Sequence, residues 1–259
     1  MTTKFITRFA PSPTGRLHLG HAWSALCAHD AARAAGGRFL LRIEDLDTWR
    51  CRSEFVEGIY EDLRWLGLDW DGEVMVQSAR AAAYAEALGR LRAEGLLFRC
   101  RCTRADIAAS APHGEAGPLY PGTCRDRDHD DSAPHCWRID MTKVVGLPED
   151  IIIARKDALA SYHLAVVVDD AAQGVTHVIR GRDLEASMPV HIVLQRLLGL
   201  PQPVYHHHPL IVDESGERLA KRRRSPSLAD MRRAGLWGTD LIRKMRAGRF
   251  PIGFARQPA

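Results

Sequence analysis

The stretch Pro11-Ser-Pro-Thr-Gly-Arg-Leu-His18-Leu-Gly20-His21 decides the fold. Before it, Lys4 to Phe9 reads as a short strand. After it, Leu19 to Ala35 is Ala-rich with few breakers and reads as a helix that Gly36-Gly37 stops. The two prolines and Gly15 make a tight turn between them. Arg38 to Ile43 (RFLLRI) has the composition of a buried strand, ending at Glu44-Asp45. Ser53 to Leu66 carries helical periodicity with Ser53 as N-cap, and Ala79 to Glu94 is a further helix closed by Gly95. Strand, helix, strand, helix in that order predicts an α/β domain with a parallel sheet.

In such a fold the first strand-to-helix turn is where helical N–H groups face an anionic ligand. His18 and His21 are three residues apart and share one face of the first helical turn. Gly20 between them lets a base or ribose approach the backbone. Two imidazoles beside a phosphate can donate hydrogen bonds to a developing oxyanion. The competing reading is a pair of surface histidines at a helix start; the Pro/Gly turn directly after a strand favours a site.

Further along, the pattern dissolves between Thr103 and Pro134, where Pro, Gly, His and Asp crowd together. A long structureless loop in a compact domain needs a staple of its own. Cys100-Arg-Cys102 can point two thiols the same way from a strand end, and Cys124 adds a third sulfur. A structural zinc takes four ligands, so the donor set is incomplete; His113, His129 and Tyr120 are the alternatives for the fourth. Such a metal would staple the segment. Cys27 and Cys51 read as small core residues; His135 and Cys136 flank the segment and could be metal-adjacent, with core or surface the favoured reading. Tyr162 to Val168 (YHLAVVV) reads as the strongest buried strand, Thr176 to Ile179 as a second, and Glu185 to Leu198 as a helix ended by Gly199. His206-His207-His208 is read as lining the nucleotide side of the cleft; Asp45 and Asp47 near Glu44 could hold a cation, although a solvated strand end is the commoner reading. Two short helices are predicted around Leu228–Ala234 and Thr239–Arg246.

The chain has 259 residues, 46% hydrophobic and 26% charged, an ordinary balance for a soluble globular protein able to bury a core without disulfides. No stretch approaches the about 20 apolar residues of a membrane span. Met1 to Phe9 has neither the apolar run nor the cleavage site of a signal peptide, so a cytoplasmic protein is expected. The net charge of +4 hides an asymmetry. From Arg218 onward there are 12 Lys/Arg against 2 Asp/Glu, leaving 24 basic and 30 acidic residues before it. A basic end on a mildly acidic body fits a polyanionic partner, although a solvated basic surface has the same composition.

That basic end opens with Arg218-Leu-Ala220-Lys221-Arg222, followed by Arg223-Arg224, in a polar loop begun by Asp213-Glu-Ser-Gly-Glu. A lysine on such a loop can clamp triphosphate oxygens as charge develops. Taken together, the histidine turn and this loop resemble the HIGH and KMSKS motifs of class I aminoacyl-tRNA synthetases. Three further blocks resemble the glutamyl branch: Arg8-Phe-Ala-Pro-Ser-Pro-Thr-Gly, Leu41-Arg-Ile-Glu44-Asp45-Leu-Asp47 and Ala165-Val-Val-Val-Asp-Asp170. The resemblance covers roughly Phe5 to Ser225, with the blocks in order. Only 34 residues follow Ser225, too few for the helical anticodon-binding domain of a full glutamyl-tRNA synthetase. The similarity is therefore closest to the shortened glutamyl-Q branch of that family.

The resemblance implies a Rossmann-like parallel-sheet catalytic domain with a zinc-binding insertion and no anticodon-binding domain. Its parts would be 1–99, the first half of the nucleotide-binding fold; 100–135, the insertion; 136–225, the second half ending in the KMSKS-like loop; and 226–259, a short basic helical tail. It implies glutamate activation with ATP and Mg²⁺, and transfer to the queuosine base in the anticodon of tRNA(Asp). Arg8, Phe9, Ala10, Pro11 and Ser12 would line the glutamate pocket, with Arg8 on the side-chain carboxylate. Glu44 would take the α-ammonium, and Tyr162 and Arg180 would complete the site. His18, Gly20, His21 and Lys221 would meet ATP, His18 and His21 stabilising the transition state. Tyr120 would complete a zinc site with Cys100, Cys102 and Cys124. A monomer is expected. The sequence departs from the pattern at Arg218 and Ala220, which replace the first lysine and the serine of KMSKS, and at His163, where the family more often has asparagine. Two alternatives stay open: a minimal synthetase charging tRNA(Glu), and an inactive synthetase-like RNA-binding protein.

Overall fold

The computed structural model describes residues 4–110, 113–114, 117–118, 120–127, 132–146, 150–158, 160–214, 216, 219 and 226–257. Along the chain these form β1 (Ile6–Phe9), α1 (Leu19–Ala34), β2 (Arg38–Ile43), α2 (Ser53–Leu66), β3 (Met75–Val76), α3 (Ala81–Ala93), β4 (Leu97–Cys100), α4 (Arg104–Ser110), β5 (His113–Gly114) and β6 (Gly117–Pro118). They continue through β7 (Cys136–Ile139), α5 (Met141–Val145), β8 (Ile151–Ala154), α6 (Tyr162–Ala172), β9 (His177–Gly181), α7 (Met188–Leu197), β10 (Val204–His208), β11 (Ile211–Asp213), α8 (Leu228–Arg233), α9 (Gly238–Arg246) and β12 (Phe254–Arg256). The chain divides into two units. One holds residues 1–79, 172–189 and 202–259; the other holds 80–171 and 190–201.

The first unit is the expected parallel α/β layer. β1 pairs in parallel with β2, β2 with β3, and β9 with β10. Thr176 ties β1 to the start of β9: its N–H donates to the Ile6 carbonyl at 2.9 Å, and its Oγ1 accepts from the Ile6 N–H at 2.9 Å. α1 buries Leu19, Ala22, Ala25, Leu26, Ala28 and Ala32, a stripe of mostly small residues that lets the helix sit close on the strands. Gly37 permits an equally close approach before β2, because a Cβ there would stand 2.1 Å from the Phe5 carbonyl oxygen. The core joins Phe9, Phe39, Leu41 and Ile43 of the strands to Ile59, Leu63 and Leu66 of α2. Leu228 and Met231 of α8 and Leu241, Ile242 and Met245 of α9 belong to the same core. The basic end thus carries two amphipathic helices whose apolar faces are spent on this unit.

The second unit is built differently. β4, β7 and β8 form an antiparallel sheet, with α3 and α6 among its helices. Asp169 of α6 accepts from Arg80 Nε at 2.5 Å and from Tyr84 Oη at 2.8 Å, a buried carboxylate with both oxygens used.

Four expectations are corrected. Tyr162–Val168 is helix, not strand: it opens α6, which buries Leu164, Ala165, Val166, Val167, Asp169 and Asp170. A helix buried nearly all round has the same unbroken apolar run as a core strand, so periodicity cannot separate them. The Thr103–Pro134 segment is not a structureless loop, since α4 lies in it; Thr103 Oγ1 caps that helix by accepting from the Asp106 N–H at 3.2 Å. The N-cap of α2 is Arg52, not Ser53, because the Arg52 N–H is held by the Pro13 carbonyl at 3.1 Å and the helix starts directly after it. The helix expected from Glu185 begins as a 3₁₀ turn over Arg182–Ser187, and only Met188–Leu197 is α-helical.

Candidate active site and metal cluster

The histidine turn is locked by its own backbone. His18 is the N-cap of α1, extended at φ −127° and ψ 177°, and its Nδ1 accepts from the Gly20 N–H at 3.1 Å. In return His21 Nδ1 accepts from the His18 N–H at 3.1 Å. This is a capping box made of two imidazoles. Because both Nδ1 atoms accept, each neutral ring carries its proton on Nε2. The ring centroids are 3.8 Å apart. Gly20 leaves room for the folded-back ring, since a Cβ there would stand 3.1 Å from His18 Cε1, a tight contact.

This turn is joined to three other places in the same unit. Glu44, at the end of β2, donates its N–H to the Pro11 carbonyl at 3.1 Å. Its side chain is held by Arg42, whose Nε and Nη2 approach Glu44 Oε1 at 3.4 and 3.3 Å. Arg42 is fully buried and also donates from Nη1 to Gln173 Oε1 at 2.9 Å. Ser227 makes an antiparallel bridge with His18, and the Leu228 N–H donates to the Leu17 carbonyl at 2.8 Å. At the other end of the turn, Trp23 Nε1–H donates to the Pro209 carbonyl at 3.0 Å, and His208 Nε2 meets Ser24 Oγ at 3.1 Å.

Arg8 and Phe9 are buried on β1, Ala10 and Pro11 follow, and Ser12 is exposed. Arg180 is buried on β9; its Nε donates to His207 Nε2 at 3.2 Å, and its guanidinium lies 5.2 Å from the Tyr205 ring centroid. Burial and the Arg180 charge hold the His207 imidazole below its ordinary pKa, so the ring stays neutral as acceptor. Tyr162 belongs to the second unit, where its ring packs on those of His163 and His191; His163 Nδ1 and His191 Nε2 are 3.1 Å apart.

The second unit also assembles the cysteines. One sulfur each from Cys100, Cys102 and Cys124 lies within 4.8 Å of the others, and the Cys102–Cys124 pair is 3.6 Å apart. Tetrahedral thiolates at the zinc–sulfur distance of about 2.3 Å stand roughly 3.8 Å from one another, so the spacing fits a metal. Tyr120 Oη accepts from the Cys124 N–H at 2.9 Å, and its ring stacks on Phe98. The Arg138 guanidinium lies over the same ring, 3.8 Å from its centroid. Cys136, for which the sequence favoured a core or surface place over a metal-adjacent one, is buried against this cluster and donates from its thiol to the Cys100 carbonyl at 3.3 Å. Hydrogen bonds from Cys136, then from Tyr120 and Arg138, pull the Cys100 thiol down to about 4. Burial, and then contact with Cys124, pushes the Cys102 thiol up to about 12. Sulfurs that resist becoming charged together are what a cation would reconcile.

Five of the sequence-predicted residues of the first unit therefore fall around one turn: Pro11, His18, Gly20, His21 and Glu44. Arg218, Ala220, Lys221 and Arg222–Arg224 lie outside the described residues, as do His129 and the side chain of His113. Sequence reasoning missed Arg42, Gln173 and Ser227. A charged residue inside RFLLRI was the available signal for Arg42, because a buried guanidinium needs partners.

Comparison with known proteins adds the following. A family described as "tRNA synthetases class I (E and Q), catalytic domain" matches residues 4–125 and 127–246. A protein of Rhodobacter capsulatus named glutamyl-Q tRNA(Asp) synthetase is 48% identical over 92% of this chain and 98% of its own. A protein of the same name from Nocardia farcinica is 48% identical over 88% of this chain and 79% of its own. Among solved structures, glutamate-tRNA synthetase from Elizabethkingia anophelis superposes with a TM-score of 0.72 at 28% identity. It matches 85% of this chain but 53% of that one, so the chain spans about half the length of that synthetase.

Proposed function

We propose a function from one premise: the chain belongs to the class I tRNA synthetase family, in the branch with the catalytic domain for glutamate and glutamine. It is an ATP-dependent enzyme that activates L-glutamate and transfers it to the queuosine base in the anticodon of tRNA(Asp). The observation that carries this reading is the 48% identity to a glutamyl-Q tRNA(Asp) synthetase over 92% of this chain and 98% of that one. It works in the cytoplasm as a monomer.

The reaction has two steps. The α-carboxylate of glutamate attacks the α-phosphorus of ATP, giving glutamyl-adenylate and releasing pyrophosphate. A hydroxyl of the queuosine cyclopentene ring then attacks the acyl carbon, forming the ester and releasing AMP. Arg8 pairs with the side-chain carboxylate of glutamate, for which a planar guanidinium is suited. Phe9, Ala10, Pro11 and Ser12 line the pocket, and Arg180 adds a second cation to it. Glu44 receives the α-ammonium; Arg42 supports this by fixing Oε1. The Nε2–H groups of His18 and His21 donate to the α-phosphate oxygens as charge develops there. With Nδ1 already engaged in each ring, no proton has to be relocated before reaction. Gly20 leaves the backbone open to the nucleotide.

The roles of Lys221 on the ATP phosphates and of Tyr162 in the glutamate site rest on the resemblance. Ser227, six residues beyond Lys221 in the sequence, is bridged to His18. Mg²⁺ accompanies ATP and offsets phosphate charge. Cys100, Cys102 and Cys124, with Tyr120 as fourth ligand, hold one structural zinc, which would fasten the insertion.

Glutamate-dependent ATP–pyrophosphate exchange tests the first step, and transfer of labelled glutamate to tRNA with and without queuosine tests the second. Exchange is expected, with label confined to queuosine-containing tRNA(Asp) and lost with the anticodon loop. Label lost with the 3′-terminal nucleotide would mean charging of tRNA(Glu) instead, and absence of exchange would mean an inactive core.

A further inference from the structure

We infer that Trp49 is a stacking platform for an unpaired base of the RNA substrate, set at the rim of the histidine turn. The inference rests on the function proposed above and adds a residue that the family motifs do not assign. Trp49 is 84% exposed, a position that an aromatic of this size holds against the hydrophobic effect. Its backbone is tied into a hydrogen-bonded turn. It sits in the turn Asp47–Arg50, where the Arg50 and Cys51 N–H groups donate to the Asp47 carbonyl at 3.1 and 2.9 Å. The Asp47 carboxylate also takes the Arg50 Nε at 2.7 Å.

Both flanks of that turn are fastened to the Pro11–Pro13 segment. The Glu44 N–H donates to the Pro11 carbonyl at 3.1 Å, and the Arg52 N–H donates to the Pro13 carbonyl at 3.1 Å. The indole is therefore carried on the same backbone frame as Glu44 and the histidine turn. Arg50 and Arg52 are exposed on either side of Cys51, and Arg16 lies on the face of α2 at Gly58. An exposed aromatic among guanidiniums is the arrangement that binds single-stranded nucleic acid, with bases on the ring and phosphates on the cations. A stretched-open anticodon loop offers such bases. A protein partner would instead need an apolar patch around the ring, and Thr48, Arg50 and Arg52 do not make one.

The test uses the full chain with Trp49→Ala and Trp49→Phe. Glutamate-dependent ATP–pyrophosphate exchange is measured beside direct binding of the tRNA(Asp) anticodon stem–loop, with and without queuosine. Exchange should be unchanged in both variants. Stem–loop affinity should fall about tenfold in Trp49→Ala and be largely kept in Trp49→Phe, which retains a π face. Equal affinity for Trp49→Ala and the unaltered chain would overturn the inference. So would a fall in exchange matching the fall in affinity, which would make Trp49 part of the glutamate pocket. A failure of exchange in the unaltered chain would sink the proposed activation step, while the binding comparison would still decide the role of Trp49.

Discussion

The two units secure their reactive side chains by opposite means. In the first, His18 and His21 are held by neutral hydrogen bonds to backbone N–H groups on a helix seated in the main apolar core. In the second, Cys100, Cys102 and Cys124 meet in a small cluster with Phe98, Tyr120 and Cys136, and their fit depends on how many of them carry charge. A constellation saturated by backbone exists before any ligand arrives, which is what preorganised electrostatic catalysis requires. A thiol cluster is half built until a cation lets its members ionise together. The first arrangement suits chemistry and the second suits architecture.

Removing the metal should therefore have the largest effect, and only on the second unit. Purified protein is expected to carry about one zinc per chain. A strong chelator, or Cys124→Ser, should abolish it and open the segment around residues 103–134 to protease. The stabilisation lost is expected to be several kcal/mol, given the strength of structural zinc binding. Metal analysis and limited proteolysis check this. Protease resistance with no metal present would break the contrast, by showing that the cluster is an ordinary thiol core.

The histidine turn offers a sharper division. Asparagine at position 18 can still accept from Gly20 but does not reach where Nε2 stands. His18→Asn should keep the helix cap and stability within a few tenths of a kcal/mol, yet slow exchange by about 10²–10³-fold. His18→Ala should lose the same rate and about 1 kcal/mol of stability in addition. Thermal unfolding beside exchange kinetics separates the two. An asparagine variant that exchanges at the original rate would reduce His18 to a cap.

What was legible in the sequence follows the same division. β1, α1 and β2 can be read from local signals: an apolar run, an alanine stripe, a glycine stop. So can the histidine turn, because its hydrogen bonds span only two or three residues. The Cys-x-Cys with a third cysteine was legible as a cluster, and the sulfurs do converge. Contacts between distant residues were not legible. Arg42 with Gln173, Ser227 with His18, and Thr176 with Ile6 are pairings that no spacing announces. α6 was misread for a physical reason: Val166 and Val167 favour strands by propensity, and burial on all sides erased the helical period that would have corrected it. The apolar faces of α8 and α9 were hidden by the charge around them, although Leu228, Met231, Leu241, Ile242 and Met245 all reach the core.

The smallest expected effect tests the first unit where its saturation fails. Asp62 of α2 is fully buried, and neither carboxylate oxygen has a hydrogen-bond partner among the described residues. Arg232 Nη1 of α8 stands 3.5 Å away. Burial pushes the Asp62 carboxyl up to about 6, opposed by the charges of Arg232 and Arg16 and reinforced by Glu61. The folded state therefore holds this proton more tightly than the unfolded chain does. Its contribution to stability is complete below about pH 4 and is lost as pH rises through about 6. The loss is on the order of 1–3 kcal/mol. Asp62→Asn should remove it, matching the original protein at pH 4 and exceeding it above pH 7 in denaturant unfolding. The cysteine cluster differs in sign, since metal binding there displaces protons and strengthens as pH rises. Raising the pH should thus loosen the first unit at Asp62 while tightening the second at its thiols. An Asp62→Asn variant less stable than the original at pH 7 would show that the Arg232 ion pair outweighs burial, and that the first unit, too, depends on charge.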